Sequence, residues 1–132
     1  FHGISHQYCA ERVAKLLNKD LHLLKIINCH LGNGCSLCAI KEGKSYETTM
    51  GLTPLEGLMM GTRCGSIDPG IVLYLLREHH LSQEEIDHTL NFASGLKGIG
   101  GSSDMRELLA QAQDERVQLA LQMFIHRLKT SI

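Results

Sequence analysis

The stretch "IINCHLGNGCSLCAI", residues 26–40, decides how this chain is read. Two apolar segments rich in Ile, Leu and Cys flank an insert of five residues, His30-Leu31-Gly32-Asn33-Gly34. An Asn-Gly pair is enough to turn a hairpin. The histidine and the second glycine are surplus to that need. Glycines lack a Cβ, so the backbone at Gly32 and Gly34 is free to adopt φ > 0 and to approach a ligand closely. Successive N–H groups in such a turn form a concavity that binds anions. Asn33 adds an amide donor, and His30 a further donor at the strand end. A Walker A loop is excluded, because the Lys-Ser/Thr pair and the following helix are missing. A Rossmann turn is excluded too, since Gly-Asn-Gly leads into a strand. Taken alone, the insert reads either as a phosphate cradle or as a plain hairpin tip.

Outward from the insert, Leu23 to Cys29 reads as a buried strand, Cys35 to Ile40 as a second and Ser45 to Met50 as a third. The connections are short, with a turn at 41–44, so the three strands form an antiparallel meander. Before them, Ser5 is the expected N-cap of a helix with Cys9, Val13, Leu16 and Leu17 on one face, ended by Asn18-Lys19-Asp20. After them, Gly51 to Gly65 has four glycines, one proline and little regular period, and reads as a functional or structural loop. Asp68-Pro69 opens a helix, and Ser82 with Glu85 forms a capping box for the next. "SGLKGIGGSSD" is a glycine-serine connection from which Asp104 caps a short helix. In the last helix, Val117, Ala120, Leu121, Phe124, Ile125 and Leu128 follow the i, i+3, i+4 rule.

Composition narrows the function class. Thirteen basic and fourteen acidic residues nearly cancel, so there is no electrostatic case for nucleic-acid or membrane-surface binding. The longest strongly apolar run, Ile71 to Leu76, is far too short to span a bilayer. No basic-then-apolar leader opens the chain, which makes a cytoplasmic location the expectation. The five cysteines are not spaced as a disulfide framework. Cys35 and Cys38 match C-x-x-C, but positions three apart on a strand point to opposite faces and do not share a metal. The chain starts at Phe1 inside a dense motif and stops inside a helical pattern. Residues 1–132 are therefore expected to be the central segment of a longer protein, inert by itself.

Two further clusters carry chemistry. Arg63 lies between Gly61 and Gly65, and a guanidinium can bond two oxygens of a phosphoryl or carboxylate group at once. A structural pairing of Arg63 with Glu56 or Asp68 is the competing reading. His2 and His6, four residues apart, could chelate a metal, although the zincin glutamate is replaced by Gly3.

"FHGISH", "CHLGNG", "TTMGLTPLEGLMMGTRCGSIDPG" and "SGLKGIGGSSDMRELL" together resemble, in order and spacing, the acetate kinases of the wider acetokinase family, which includes propionate and butyrate kinases. The resemblance covers essentially the whole chain. It implies an α/β fold of the actin–hexokinase–chaperone type with ribonuclease H-like halves, present here in part as a strand meander with flanking helices. It also implies reversible γ-phosphoryl transfer from ATP to a short carboxylate. By the same resemblance His30, Leu31, Gly32, Asn33 and Gly34 contact the nucleotide phosphates, and Asp104, Met105 and Arg106 form a second nucleotide segment. His2 and Arg63 match the residues that stabilise the transition state. Phe1 and Pro54, with Arg63, match the acyl-substrate pocket. Mg²⁺ is expected with ligands outside this chain, as is a homodimer. Neither a nucleic acid nor a membrane is an expected partner. Three positions depart from the family pattern: Ser66 stands where an Asp is usual, Ile4 where Thr is common and Cys35 where Ala is common. Ser66 thereby removes a carboxylate near the catalytic Arg. The rival readings are a propionate or butyrate kinase, a non-enzymatic actin-like ATPase module and a degenerate structural domain.

Overall fold

The computed structural model describes every residue from Phe1 to Ile132. Its centre is an antiparallel sheet of β1 (Lys25–Leu31), β2 (Cys35–Lys41) and β3 (Lys44–Thr48), in the order β1-β2-β3. The meander expected from short connections is thus present. Pairing of Leu31 with Cys35 closes the first hairpin over Gly32-Asn33-Gly34, so the insert is three residues long rather than five. His30 and Leu31 are strand residues. Lys41 pairs with Lys44 across Glu42-Gly43, both at positive φ, as a two-residue hairpin turn requires.

Strand β1 differs from the buried strand expected. It starts at Lys25, because Leu21–Leu23 forms a 3₁₀ turn capped by Asp20, whose side chain accepts from the His22 N–H. Its burial alternates, with Ile26, Asn28 and His30 on the covered face and Ile27 and Leu31 about half exposed. Strand β2 is buried on both faces over Cys35–Cys38, while β3 ends at Thr48, short of Met50, and is exposed.

Helix α1 (Gly3–Leu17) covers one face of the sheet. It begins two residues before Ser5, and its cap residue, His2, makes no side-chain capping bond. The inward stripe is His6, Ala10 and Ala14, four residues apart, instead of Cys9, Val13, Leu16 and Leu17. Two of these three are alanines, which let the helix lie close on Cys38 and Ile40. Leu16 and Leu17 are 70% and 55% exposed. Asn18, in the left-handed region, ends the helix as expected.

Helices α2 (Pro69–Glu78) and α3 (Gln83–Phe92) start where the sequence signals place them, on the Asp68 cap and on the Ser82–Glu85 capping box. The glycine-serine connection, in contrast, contains a helix, α4 (Gly95–Gly100). Its first-turn N–H groups at Leu96 and Lys97 donate to the carbonyls of Met60 and Gly61, so a neighbouring segment satisfies donors that a short helix leaves orphaned. Helix α5 (Met105–Ala110) is capped by Asp104, and α6 (Glu115–Thr130) by Asp114. On α6, Val117 and Ala120 are buried and Leu121, Phe124 and Leu128 partly so, while Ile125 remains about half exposed. No helix is long and apolar enough to cross a membrane.

On the sheet face opposite α1, Cys35 and Leu37 pack against Met50, Leu58 and Met60. A second cluster joins Met59, Leu96, Leu108, Val117 and Ala120, and Phe124 touches both clusters. Cys35 and Cys38 fall in clusters on opposite faces, as the strand geometry demands, and all five cysteines are free. Leu108 is fully buried. Leu108→Ala should cost about 2–5 kcal/mol locally, read as faster hydrogen exchange of α4 and α6 amides.

Candidate functional site

The segment after β3 positions the site. Gly51–Gly65 has no regular period, yet Leu58, Met59, Met60 and Gly61 are all buried. Burying irregular backbone requires that its polar groups find partners. They do so on two sides. The Met60 N–H donates to the Arg63 carbonyl, the Cys64 N–H to the Leu90 carbonyl and the Ser94 N–H to the Thr62 carbonyl. On the other side, the Gly61 N–H donates to the Asn33 carbonyl at 3.0 Å. A Cβ on Gly61 would collide with the Asn33 side chain, so glycine is what lets the loop touch the hairpin.

This stitching delivers Arg63 to the hairpin. A Cβ built on Gly34 would stand 3.1 Å from Arg63 Nη1 and 3.3 Å from His2 Nε2. Three of the expected residues, His2, Gly34 and Arg63, thus meet at one point. Glycine at 34 eases this close approach and does not serve turn geometry: neither Gly32 nor Gly34 has a positive φ, contrary to the expectation for the insert. Arg63 Nη1 donates to the Pro54 carbonyl at 3.1 Å. It pairs with neither Glu56 nor Asp68, since Arg106–Asp104 is the chain's one ion pair. Ser66, at the position of the missing carboxylate, accepts from the Gly57 N–H, and its own carbonyl accepts from Arg127 Nη2. Its hydroxyl is therefore committed to the loop backbone.

His2, His6 and His30 form a cluster. The rings of His2 and His30 stack at 3.8 Å and 19°, and the His30 Nδ1 is 2.9 Å from the Ser5 hydroxyl. His30 therefore joins a packed group at the strand end and does not project freely into the hairpin. His2 and His6 both turn a ring nitrogen onto the Ser36 hydroxyl, at 2.9 and 2.8 Å, which places an oxygen where a shared metal would have to sit. No group of three or more His, Cys, Asp or Glu side chains is placed to hold a metal ion. Burial, followed by the charge of His30, pushes the pKa values of His2 and His6 below the ordinary histidine range. For His2, His6 and Arg63 act in the same direction. Burial also pushes the Cys35 thiol up to about 11, against the pull of Arg63, and the thiol donates to the Gly32 carbonyl.

Beside the hairpin lies a cavity of about 650 Å³ lined by Leu31, Gly32, Asn33, Asp104, Met105 and Phe124, among others. Both nucleotide segments expected from the sequence therefore open onto one space. Arg106 does not line it. Its guanidinium is held by Asp104 through two hydrogen bonds, of 3.1 and 2.6 Å, and the pairing pulls the Asp104 carboxyl down to about 2. Phe1 lines a different cavity of about 540 Å³, between α1 and the sheet, together with His2, His6, Ser36 and Met50. Pro54 is absent from that lining, so Phe1 and Pro54 are not brought into one pocket.

The description of the Acetokinase family matches residues 1–132. The chain belongs to the acetokinase family. An acetate kinase of Protochlamydia amoebophila is 64% identical over 132 residues, covering 100% of this chain and 33% of that protein. Among solved structures, the Porphyromonas gingivalis acetate kinase superposes with a TM-score of 0.95 at 42% identity, over 99% of this chain and 34% of the other. A propionate kinase from Francisella tularensis gives 0.88 at 49%, over 96% and 33%. The chain thus spans about a third of the length of these acetokinase relatives. Its fold is the matching part of the actin–hexokinase–chaperone architecture, as the motifs implied.

Residues outside the motif matches complete the histidine cluster. Asn28 and Ser36 escaped sequence reasoning, although each is a polar residue inside an otherwise apolar strand, which is a usable signal. The cross-strand pairs His30–Ser36 and Asn28–Cys38 put both on the face that meets α1.

Depressed histidines make the acetokinase segment acid-sensitive. The unfolded rings bind protons near pH 6.5 and the folded ones only below that, so in between the unfolded state holds more protons. Stability from His2 and His6 is present above about pH 6.5 and is lost as pH falls through the folded values. Melting temperatures should therefore drop between about pH 7.5 and about pH 5.5, together with the exchange protection of α1.

Proposed function

We propose that the full-length protein transfers the γ-phosphoryl of ATP reversibly to acetate, giving acetyl phosphate and ADP. The observation that carries this reading is the meeting of His2 Nε2 and Arg63 Nη1 over Gly34, beside the cavity that Gly32, Asn33, Asp104 and Met105 line. Phosphoryl transfer passes through a loose transition state with charge on three equatorial oxygens, so positioned donors supply most of the catalysis. In this proposal the hairpin amides at Asn33 and Gly34 and the Asn33 side chain hold the nucleotide phosphates, while the Gly32 N–H donates to the Gly34 carbonyl and closes the turn. Asp104 and Met105 line the same nucleotide cavity. Arg63, a cation with no acidic partner, neutralises the phosphoryl group in flight, and His2 donates a hydrogen bond to it. The carbonyl of Pro54 steadies the guanidinium. The methyl group of acetate is assigned to the side of Arg63 where Pro54 meets the guanidinium, with Phe1 lining a separate cavity.

Arg106 enters the proposal only through Asp104, and His30 and Leu31 as supports of the hairpin. Mg²⁺ accompanies nucleotide phosphates in this reading. The residues present do not form a ligand set for it, because the cavity's carboxylate, Asp104, already caps α5 and grips Arg106. A homodimer and a cytoplasmic location go with the same reading.

A propionate kinase is the second reading, favoured by the 49% identity to the Francisella tularensis enzyme. An actin-like switch module would use the hairpin but has no use for an unpaired arginine beside a histidine. Assaying the full-length protein for acyl phosphate with acetate, propionate and butyrate side by side separates these readings. Acyl phosphate from none of the three would remove the kinase assignment. In the same assay Arg63→Ala should lower kcat about 10²–10³-fold with little change in the KM for ATP. Near wild-type turnover would take Arg63 out of its role.

A further inference from the structure

Three side chains lead to the His2 ring through a chain of hydrogen bonds with a defined direction. Asn28 Nδ2 lies 2.7 Å from His6 Nδ1. An amide NH₂ only donates, so His6 Nδ1 accepts, and a neutral His6 ring then carries its proton on Nε2. That atom is 2.8 Å from Ser36 Oγ and donates to it. The Ser36 hydroxyl has one hydrogen of its own, and its other neighbour is His2 Nδ1, at 2.9 Å. Ser36 is 1% exposed, so a hydroxyl hydrogen without a partner would be left buried at a cost of about 1–3 kcal/mol. The hydroxyl therefore donates to His2 Nδ1, and the proton of His2 resides on Nε2.

We infer that Asn28, His6 and Ser36 are positioning residues that lock His2 in the Nε2–H tautomer, so that it offers a hydrogen-bond donor at the point where Gly34 and Arg63 meet. The ring edge formed by Cε1 and Nε2 lies 3.3 Å from the Cβ position of Gly34, Nε2 being its one outward nitrogen, and Arg63 Nη1 lies 3.1 Å from the same position. The opposite tautomer would aim a lone pair at an anionic phosphoryl group, repelling the charge that Arg63 attracts. His30, stacked on His2 and bonded to Ser5, fixes the plane of the ring, and the relay fixes where its proton sits. The titratable and charged groups facing His2 are His6 from α1, His30 from β1 and Arg63 from the loop. None of them is a carboxylate that would itself hold a proton on Nδ1.

The catalytic consequence rests on the kinase reading above, whereas the tautomer does not. The full-length protein labelled with ¹⁵N-histidine should show, above the titration of His2, the proton of that ring on Nε2, the signals being assigned by their loss in His2→Asn. Finding it on Nδ1 overturns the inference whatever the protein catalyses. Ser36→Ala should randomise the His2 tautomer and lower kcat at least about tenfold, with the KM for ATP within about threefold. Wild-type turnover, or a KM that rises as much as kcat falls, overturns the positioning role. Asn28→Asp keeps the shape and reverses the logic. A carboxylate only accepts, so His6 must then carry a proton on Nδ1. While His6 is doubly protonated the relay keeps its direction; once it is neutral, every bond reverses and His2 Nε2 becomes bare. The kcat ratio of Asn28→Asp to wild type should fall about tenfold or more as pH rises through the His6 titration, and a flat ratio counts against the relay. If the wild-type protein phosphorylates no carboxylate, the kinase reading fails while the NMR arm still decides the tautomer.

Discussion

One backbone hydrogen bond holds the site together: the Gly61 N–H on the Asn33 carbonyl. It joins two stretches that lie about thirty residues apart in sequence and that have different structural origins. The hairpin tip is fixed by strand pairing, from Lys25–Lys41 up to Leu31–Cys35. The arginine loop has no secondary structure of its own and is held by the α3–α4 junction through Leu90, Thr62 and Ser94. Only where these two pieces touch does a guanidinium come to lie beside a glycine turn. The contact exists because Gly61 has no side chain, so a sheet edge and an irregular loop can approach to main-chain distance.

Burial pattern and chemistry are linked at the same place. The loop residues on either side of Gly61 fill the space between the two apolar clusters, Leu58 and Met60 toward the sheet and Met59 toward α6. Phe124 packs on both clusters and also lines the cavity beside the hairpin. The apolar core thus runs up to the polar site without an intervening layer. Arg63 and the three histidines are held by neutral partners: a carbonyl, hydroxyls, an amide and one another. With no acid among them, the local field stays positive, which adds to burial in lowering the pKa of His2 and His6 and suits an anionic ligand.

The parts of the molecule legible in the sequence are those governed by local rules. The Asp68 and Asp104 caps, the Ser82–Glu85 box and the Asn18 terminus stand where side-chain chemistry places them, because a cap involves residues two or three apart. The strand meander follows from its turns. What escaped depended on distant partners. Helix α4 forms in a glycine-rich run because the Met60 and Gly61 carbonyls cap it. Ser5 gives up its expected capping role because His30 claims its hydroxyl. The α1 stripe follows His6, Ala10 and Ala14 because small residues are what the sheet admits. At the site, His2, Arg63 and the hairpin glycines were marked by motif. Asn28 and Ser36 became meaningful only once the register set them under α1.

The outer rim of β1 has a practical consequence. This strand borders the sheet with no neighbour on one side, and Ile27 and Leu31 are about half exposed on its uncovered face. Bare main-chain donors and acceptors next to greasy side chains are a template for strand addition. In an isolated 132-residue polypeptide that edge stays open to pairing with any extended strand.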